Sequence, residues 1–360
     1  MKKQFTIAAA TLCTALSAHA QSSVTIYGIV DTGVEYLNHS GPDDRSMVRM
    51  PNITASVPSR FGLRGSEDLG GGLKALFVLE SGIAIDTGAL NYGNRLFGRQ
   101  ALVGLSSKYG TLSLGRQYNM TFYALLDSDT MGPNIHAMVN LDSYLPNTRS
   151  DNAVGYLGKF DGFSVGSTYS LGRDAGSTGG PQATNCAGEK PGDAQACRQW
   201  TGMVKYDGGA YGVSGSYDRM HGGVGALFGL TSSNYTDTRS TVNGFVKWGT
   251  TKIGGGVISR RNEAVTSLKS NLVYLGLTQP IAEAWVVDAQ VANLDIKSTK
   301  NDAAILALRL SYNFSRRTAS YLSVGHIVNK GASAVGVSPG ATTLAGLDQS
   351  GVMLGLRHSF

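Results

Sequence analysis

The sequence predicts an all-β protein, a transmembrane antiparallel β-barrel of sixteen strands with short turns on one rim and long loops on the other. Three observations predict it. Many segments alternate apolar and polar residues, the last one ends on an aromatic residue, and tight turns alternate with long connections. The composition agrees, because 48 of the 360 residues are glycine and 16% are charged, against about 25% in typical soluble domains.

Residues 1–20 have the features of a secretory signal peptide. Two lysines precede the apolar run Phe5–Leu16, and Ala18-x-Ala20 fits a cleavage site. The 12-residue run is shorter than the roughly 20 residues that a spanning helix needs. We therefore expect residues 21–360 to form the barrel. The 31 basic residues then fall to 29 against 25 acidic ones, and a formal charge of +4 is too small to indicate a nucleic-acid partner.

The strands are identified by their period of two residues. Val24–Tyr36 alternates and places Asp31 and Glu35 on its inner face. Ser59–Glu80 is predicted to form two strands around the turn Gly70–Gly72, where glycine tolerates positive φ. Further strands are expected near residues 96–107, 111–118, 149–160, 162–172, 199–208, 210–220, 238–249, 252–262, 269–279, 284–296, 303–314, 318–329 and 348–360.

The last strand, Asp348–Phe360, shows the alternation most clearly. Its apolar face carries Val352, Leu354, Leu356, His358 and Phe360, and its other face carries Met353, Gly355, Arg357 and Ser359. A strand that ends on an aromatic residue is typical of barrel closure, where every backbone group needs a partner strand. An edge strand of a soluble sheet has the same local pattern, so the repetition along the chain decides between the two.

Turns and loops alternate along the chain, as expected of a barrel with two different rims. Tight turns are predicted at residues 107–110, 160–162, 207–209, 248–251, 279–283 and 315–317. Long connections are predicted around residues 37–55, 84–95, 119–148, 173–198, 221–237, 262–268, 297–302 and 330–347. Aromatic residues near strand ends suit interfacial girdles, and these are Tyr27, Tyr36, Tyr156, Phe160, Tyr206, Tyr211, Trp248 and Trp285.

The sequence gives little support for catalysis. Cys186 and Cys197 are predicted to form one disulfide, as an oxidising compartment allows, and a metal site needs more ligands than this pair offers. The six histidines are scattered, and no HExxH, GxSxG or GxxxxGKS motif occurs. We predict that the protein is not an enzyme and needs no cofactor. Two alternatives stay open, namely a barrel protease or phospholipase and an adhesive or structural barrel with a closed lumen.

Four segments, taken in this order, resemble the general porins of Gram-negative bacteria of the Neisseria and Burkholderia type. They read VTIYGIVDTGVEY, SRFGLRGSEDLGGGLKALFVLESG, FGRQALVGLSSKYGTLSLGRQY and GLRHSF. The resemblance implies an outer-membrane homotrimer whose lumen passes small hydrophilic solutes and ions. It also implies contact with outer-membrane lipid and lipopolysaccharide, and insertion by the barrel assembly machinery with Phe360 as the C-terminal assembly signal. Its third long loop, here residues 119–148, would fold into the lumen.

The resemblance further implies a charged constriction with Arg60 and Arg99 on its basic wall and Glu80 on its acidic side. Alternation places Arg60 and Glu80 inward, but it gives Arg99 the lipid-facing parity of Ala101 unless a bulge intervenes. Further candidates are the loop acids Asp127, Asp129 and Asp142 and the basic residues Arg64, Lys74, Arg116 and Arg149. A low-dielectric wall focuses the field of such charges. With a mature charge of +4, we expect mild anion preference.

Overall fold

A computed structural model describes residues 23–176 and 184–360, so the predicted signal peptide lies outside the described residues. These residues form one sheet of seventeen strands, of which sixteen build a closed antiparallel barrel. The strands are β1 (Ser23–Ser40), β2 (Arg45–Arg49), β3 (Arg60–Gly70), β4 (Leu73–Gly82), β5 (Gln100–Ser107), β6 (Gly110–Tyr118), β7 (Arg149–Phe160), β8 (Phe163–Ser170), β9 (Gln199–Asp207), β10 (Tyr211–His221), β11 (Thr236–Trp248), β12 (Thr251–Glu263), β13 (Leu268–Pro280), β14 (Trp285–Ile296), β15 (Ala303–Asn313), β16 (Thr318–Asn329) and β17 (Gln349–Ser359). The predicted fold class is confirmed.

Short helical segments occur in two of the long loops. They are α1 (Asn91–Asn94), α2 (Met120–Leu125) and two 3-10 turns, Met138–Asn140 and Leu145–Asn147. Among the described residues, no helix is long and apolar enough to cross a membrane.

The first strand closes the barrel. One edge of β1 pairs with β17, and its other edge pairs with β3 and then with the short β2. Gly28 and Phe360 exchange two backbone hydrogen bonds of 3.1 Å. A Cβ at Gly28 would lie 2.4 Å from the ring of Phe360, so glycine is needed for this close approach. The last residue of the chain is thereby part of the sheet.

The two faces of the wall differ as the alternation predicts. On β17, Leu354 is 66% exposed while Met353 is completely buried. Asp31 and Glu35 of β1 are buried on the lumen side. The outer face is covered by exposed apolar residues, including Val242, Val257, Val273, Leu275, Val291, Leu306, Leu322 and Leu356. Such a belt suits hydrocarbon, and it would be costly in water.

Aromatic residues gather where strands meet the tight turns. They include Tyr109, Phe160, Phe163, Tyr206, Tyr211, Trp248, Trp285, Tyr312 and Phe314, and several rings contact one another. Trp248 is 83% exposed, as a residue at a membrane interface would be. Tyr27 is an exception, because its hydroxyl donates a hydrogen bond to Glu80 at 3.0 Å inside the barrel. Its assignment to a girdle was wrong.

Two strand boundaries differ by four residues from the predicted ones. The strand expected at residues 96–107 begins only at Gln100, because the pairing with β4 begins at Gln100 and Arg99 bulges opposite Glu80. At the other boundary, β1 continues to Ser40, because β2 supplies backbone hydrogen-bond partners for the last residues of β1. Neither boundary can be predicted from the period-two pattern of the segment itself.

The third long loop folds into the barrel, as expected. Asn119 caps α2 by accepting a hydrogen bond from the N–H of Thr121 at 3.1 Å. The loop then runs along the inner wall. Ser214 donates to the carbonyl of Ala124 at 2.7 Å, and the N–H of Met138 donates to Gln290 at 2.7 Å. The loop therefore satisfies its buried polar groups against the strands opposite its attachment point.

Glycines in the wall make room for this loop. A Cβ at Gly254 would lie 2.2 Å from the carbonyl oxygen of Ser128, and one at Gly276 would lie 2.2 Å from Oγ1 of Thr130. At the tip of the loop, a Cβ on Gly325 would lie 2.8 Å from the ring of His136. Part of the high glycine content is therefore explained by the close contact between loop and wall.

Cys186 and Cys197 form the predicted disulfide, with their Cα atoms 5.2 Å apart. The bridge belongs to a small buried cluster with Met220, Ala226 and Leu230. This cluster lies mainly in the long loops, and Met220 near the end of β10 is its one member in a strand.

Gly254→Val tests the packing between loop and wall. The new side chain would collide with the backbone at Ser128, so the loop must move about 1.5 Å to reach ordinary contact distance. It can only move into the lumen. We expect lower single-channel conductance in a planar bilayer, with heat stability of the barrel unchanged. Gly202→Val is the control, because no atom lies within 4 Å of its Cβ position. Equal conductance of both variants would contradict this packing.

The double variant Cys186→Ser with Cys197→Ser tests the role of the disulfide. The bridge closes a segment with a sequence separation of 11, and the chain-entropy model assigns roughly 2–3 kcal/mol to such a loop. We expect faster cleavage by a glutamate-specific protease after the exposed Glu189, with heat stability and conductance near those of the parent. Parent protein treated with a reductant is the control and should behave alike. Loss of barrel assembly would show that the bridge supports more than the loop.

Candidate pore constriction

An opening lies between the inward loop and the wall formed by strands β3 to β7. The wall side of this opening carries Arg60, Arg99 and Arg149, together with Tyr118. The loop side carries Asp129 and a set of apolar residues. The three arginines, far apart in sequence, are therefore brought together by the barrel.

Arg99 is held from several directions. Its Nε donates to Oε1 of Glu80 at 2.7 Å, its Nη1 donates to the hydroxyl of Tyr92 at 2.7 Å, and its Nη2 donates to the hydroxyl of Tyr118 at 2.6 Å. Both Arg99 and Glu80 are buried. Tyr27 donates to the second oxygen of Glu80, so the carboxylate is also fixed in place.

Arg149 and Arg60 complete the basic wall. The Arg149 guanidinium lies 4.8 Å from the ring centre of Tyr92 and 4.5 Å from that of Tyr118, a cation–π arrangement. Its Nη2 also donates to the Tyr118 hydroxyl at 3.0 Å. Arg60 donates from Nε to the carbonyl of Pro58 at 3.1 Å. Neither Arg60 nor Arg149 forms a salt bridge with any described residue.

The structure explains why the side chain of Arg99 points into the barrel, although strict alternation would place it on the lipid-facing side with Ala101. Gln100 pairs with Glu80 in the sheet, and the N–H of Arg99 donates to the carbonyl of Glu80 at 3.0 Å. Arg99 and Gln100 thus both lie opposite Glu80, which is the geometry of a β-bulge. The expectation for Glu80 needs correction, because it lies beside Arg99 on the same wall and not on an acidic side across the opening.

The loop acids are mostly turned away from the arginines. Asp142 is paired with Arg239 at 2.8 and 3.0 Å. Burial opposes its ionisation, but Arg239 outweighs burial and holds the pKa of Asp142 below its usual range. Asp127 pairs with Lys205 of β9. The expectation that these two acids face the basic wall is therefore wrong, because nearer cations on the far wall bind them.

Asp129 is the loop acid that borders the opening. It accepts hydrogen bonds from Gln290 at 2.8 Å and from the N–H of Gly132 at 3.0 Å. Burial raises the pKa of Asp129, and these hydrogen bonds oppose the shift only in part. As the pH falls, this carboxylate loses its negative charge before an ordinary aspartate does.

The remaining basic candidates lie outside the opening. Arg64 and Lys74 share the inner face with Glu80 by register, but both are exposed, and Lys74 lies beside the turn Gly70–Gly72. Arg116 lies two residues after the lipid-facing Leu114, so strict alternation would place it on the same side of the wall. Its guanidinium is buried and donates to Asp151 and to the carbonyl of Gly98. Its placement in the constriction was wrong, because the adjoining loops cover it as an ion pair.

Sequence reasoning missed four residues that shape the site, namely Tyr92, Tyr118, Lys205 and Arg239. The inward parity of the predicted strands would have identified Lys205 and Arg239, since they alternate with outward residues such as Val204 and Ser240. Tyr92 gave no signal, because it lies in α1 outside the predicted strands, where no alternation indicates the direction of a side chain.

Comparisons with known proteins agree with this architecture. A family model described as Gram-negative porin matches residues 6–332. Outer membrane porin protein 32 of Delftia acidovorans is 33% identical over 100% of both chains. A porin of Bordetella pertussis is 31% identical over 89% of this chain and 93% of its own. The solved anion-selective porin from Comamonas acidovorans has a TM-score of 0.79 and 29% identity, and the match covers 94% of this chain and 100% of that one.

These matches span nearly the whole chain, and they decide against the barrel protease or phospholipase and the closed adhesive barrel. The chain belongs to the Gram-negative porin family, as a channel of the outer membrane and not an enzyme.

Proposed function

We propose that the channel prefers anions and that Arg60, Arg99 and Arg149 set this preference. The observation that carries the proposal is the imbalance of charge at the opening. Three arginines stand at the opening with two carboxylates, Glu80 among them on the wall and Asp129 on the loop, while Asp127 and Asp142 are paired with cations elsewhere. The similarity to a solved porin described as anion-selective supports the same conclusion.

The size of the effect follows from Coulomb's law. Two unit charges 4 Å apart interact by about 1 kcal/mol in bulk water and by about 4 kcal/mol at an effective dielectric of 20. A narrow wet pore lies between these limits. One uncompensated arginine therefore changes the ratio of anion to cation permeability severalfold, and the effect weakens in high salt, where the Debye length is about 3 Å at 1 M.

The proposal includes the assembly and the route to the membrane. Residues 1–20 act as a signal peptide, and the mature barrel assembles as a homotrimer, as porin homologues do. The exposed apolar belt contacts outer-membrane lipid and lipopolysaccharide. Phe360 serves as the C-terminal signal for the barrel assembly machinery, which is compatible with its pairing to Gly28 at the closing seam.

Arg60→Ser tests the selectivity. We expect the reversal potential under a salt gradient to move toward cations, corresponding to a severalfold fall in the anion-to-cation permeability ratio, and the shift should shrink in 1 M salt. Lys74→Ser is the matched control. It removes the same charge from the same face, but far from the opening, so a small shift is expected. A cation-selective parent, or equal shifts in both variants, would refute this assignment.

The trimer is tested by electrophoresis. Because porin homologues are trimeric and a closed barrel with long strands is stable, we expect unheated protein in dodecyl sulfate to migrate as a trimer and heated protein as a monomer. Crosslinking in mild detergent should give a ladder that ends at three subunits. Migration at the monomer position before heating, together with no crosslinked trimer, would contradict the proposed assembly.

A further inference from the structure

The side of the inward loop that faces the arginines is apolar. The residues on this side include Phe122, Leu126, Pro133, Val139 and Pro146. Leu126 is 53% exposed, a value otherwise typical of the lipid-facing wall, although it lies in the lumen. The opening is thus bounded by guanidinium groups on one side and by hydrocarbon on the other.

The apolar surface results from how the loop is anchored. Asp127 and Asp142 point to Lys205 and Arg239 on the far wall, and the N–H of Met138 is bound there as well. The polar groups of the loop face the far wall, so its hydrocarbon faces the pore. A water-filled pore does not stabilise this arrangement, because exposed hydrocarbon is unfavourable in water.

The apolar surface continues beyond the opening. Pro133, Val139 and Pro146 also border a neighbouring cavity, where they meet Ile53 of the first long loop and Pro339 of the last one. Because both of these residues belong to long loops, the cavity leads toward the long-loop rim. A solute with an apolar body would meet hydrocarbon before it reaches the arginines.

The arginine side offers free donors. Apart from the bond from Nε to Pro58, the Arg60 guanidinium donates to no described residue, so its two terminal nitrogens can bind a carboxylate in the bidentate manner that guanidinium favours. Arg149 lies on the same wall and adds its positive charge, but its guanidinium is buried and both terminal nitrogens already donate hydrogen bonds within the protein.

We propose that the constriction is a binding site for small carboxylates with an apolar, preferably aromatic, body. The carboxylate binds at Arg60, and the ring lies against Leu126 and Phe122, whose own ring is stacked on Tyr118 at 3.8 Å between centres. This proposal rests on the anion preference proposed above. It adds a selection among anions, because formate or acetate uses only the arginines, whereas an aromatic carboxylate also covers the apolar side.

The probes are benzoate, acetate and the neutral benzamide, each added to a chloride solution while the current through a single parent trimer is recorded. We expect benzoate to reduce the chloride current at roughly tenfold lower concentration than acetate, which corresponds to about 1.4 kcal/mol. Benzamide should not reduce the current in this range. Equal concentrations for benzoate and acetate, or block by benzamide at the benzoate concentration, would overturn the proposal.

Two substitutions at one exposed position locate the site. Leu126→Ser should bring the benzoate concentration for half-block close to that for acetate, and Leu126→Phe should lower it. Arg64→Ser, on the same lumen face but outside the opening, is the control and should keep the parent discrimination. Unchanged discrimination in both Leu126 variants would refute the contact. Because Leu126 is half exposed, neither change disturbs a buried core.

The same recordings separate this proposal from the anion preference. The reversal potential in potassium chloride alone reports the anion preference, and the ratio of benzoate to acetate block reports the apolar contact. Anion preference with equal block would leave the function of Arg60 standing and remove the aromatic site. Absence of anion preference would remove both.

Discussion

Every backbone N–H and C=O group that faces hydrocarbon must be paired within the protein, because no water is available and each unpaired group costs several kcal/mol. This constraint forces the sheet to close on itself. Here the seam depends on β1, which pairs with β17 on one edge and with β3 on the other. Gly28 allows Phe360 to complete the seam, since a side chain there would meet the aromatic ring.

Closure creates a lumen, and the lumen sets the conditions for the inward loop. A loop that lies inside the barrel must pair its polar groups with the wall, and it must approach the wall closely to do so. Gly254 and Gly276 permit the approach, and Gln290 and Arg239 supply partners. The pairs with Lys205 and Arg239 turn Asp127 and Asp142 away from the opening, so anchoring the loop also determines the electrostatics of the pore.

The fold was predictable from sequence because its signal is repeated in every strand. Alternation along β17 and the strand β11 gives the inner and outer faces without reference to any other segment. Alternation also placed Arg60 inward, and it failed for Arg99, where the ladder has a bulge opposite Glu80. Arg116, which was a candidate for its charge, lies beside a second irregularity, the register shift between Gly115 and Gln117. Irregularities of this kind depend on neighbouring strands, which a single segment does not reveal.

The loop acids show a different limit of sequence reasoning. The three aspartates of the loop indicated an acidic side of the constriction. The direction of each carboxylate, however, depends on which cation lies nearest to it. Lys205 and Arg239 belong to strands more than sixty residues away in sequence, and a chain read segment by segment does not bring them next to Asp127 and Asp142. A list of inward cations from every strand would have supplied these competing partners.

Like charges can be held together on one wall only if something other than their mutual interaction fixes them. Three guanidinium groups in one region repel one another, and burial adds a desolvation cost. Glu80 offsets part of the repulsion, and Tyr92 and Tyr118 accept hydrogen bonds from Arg99 while their rings lie beside Arg149. The charges are therefore oriented before a solute arrives, and no side chain has to be ordered during passage. Because Glu80 pairs directly with Arg99, these two charges largely cancel, and the positive charge at the opening comes chiefly from Arg60 and Arg149. The sign of the charge at the constriction is then set by which acidic side chains the fold turns away from the opening. The net charge of the chain makes only a minor contribution to it.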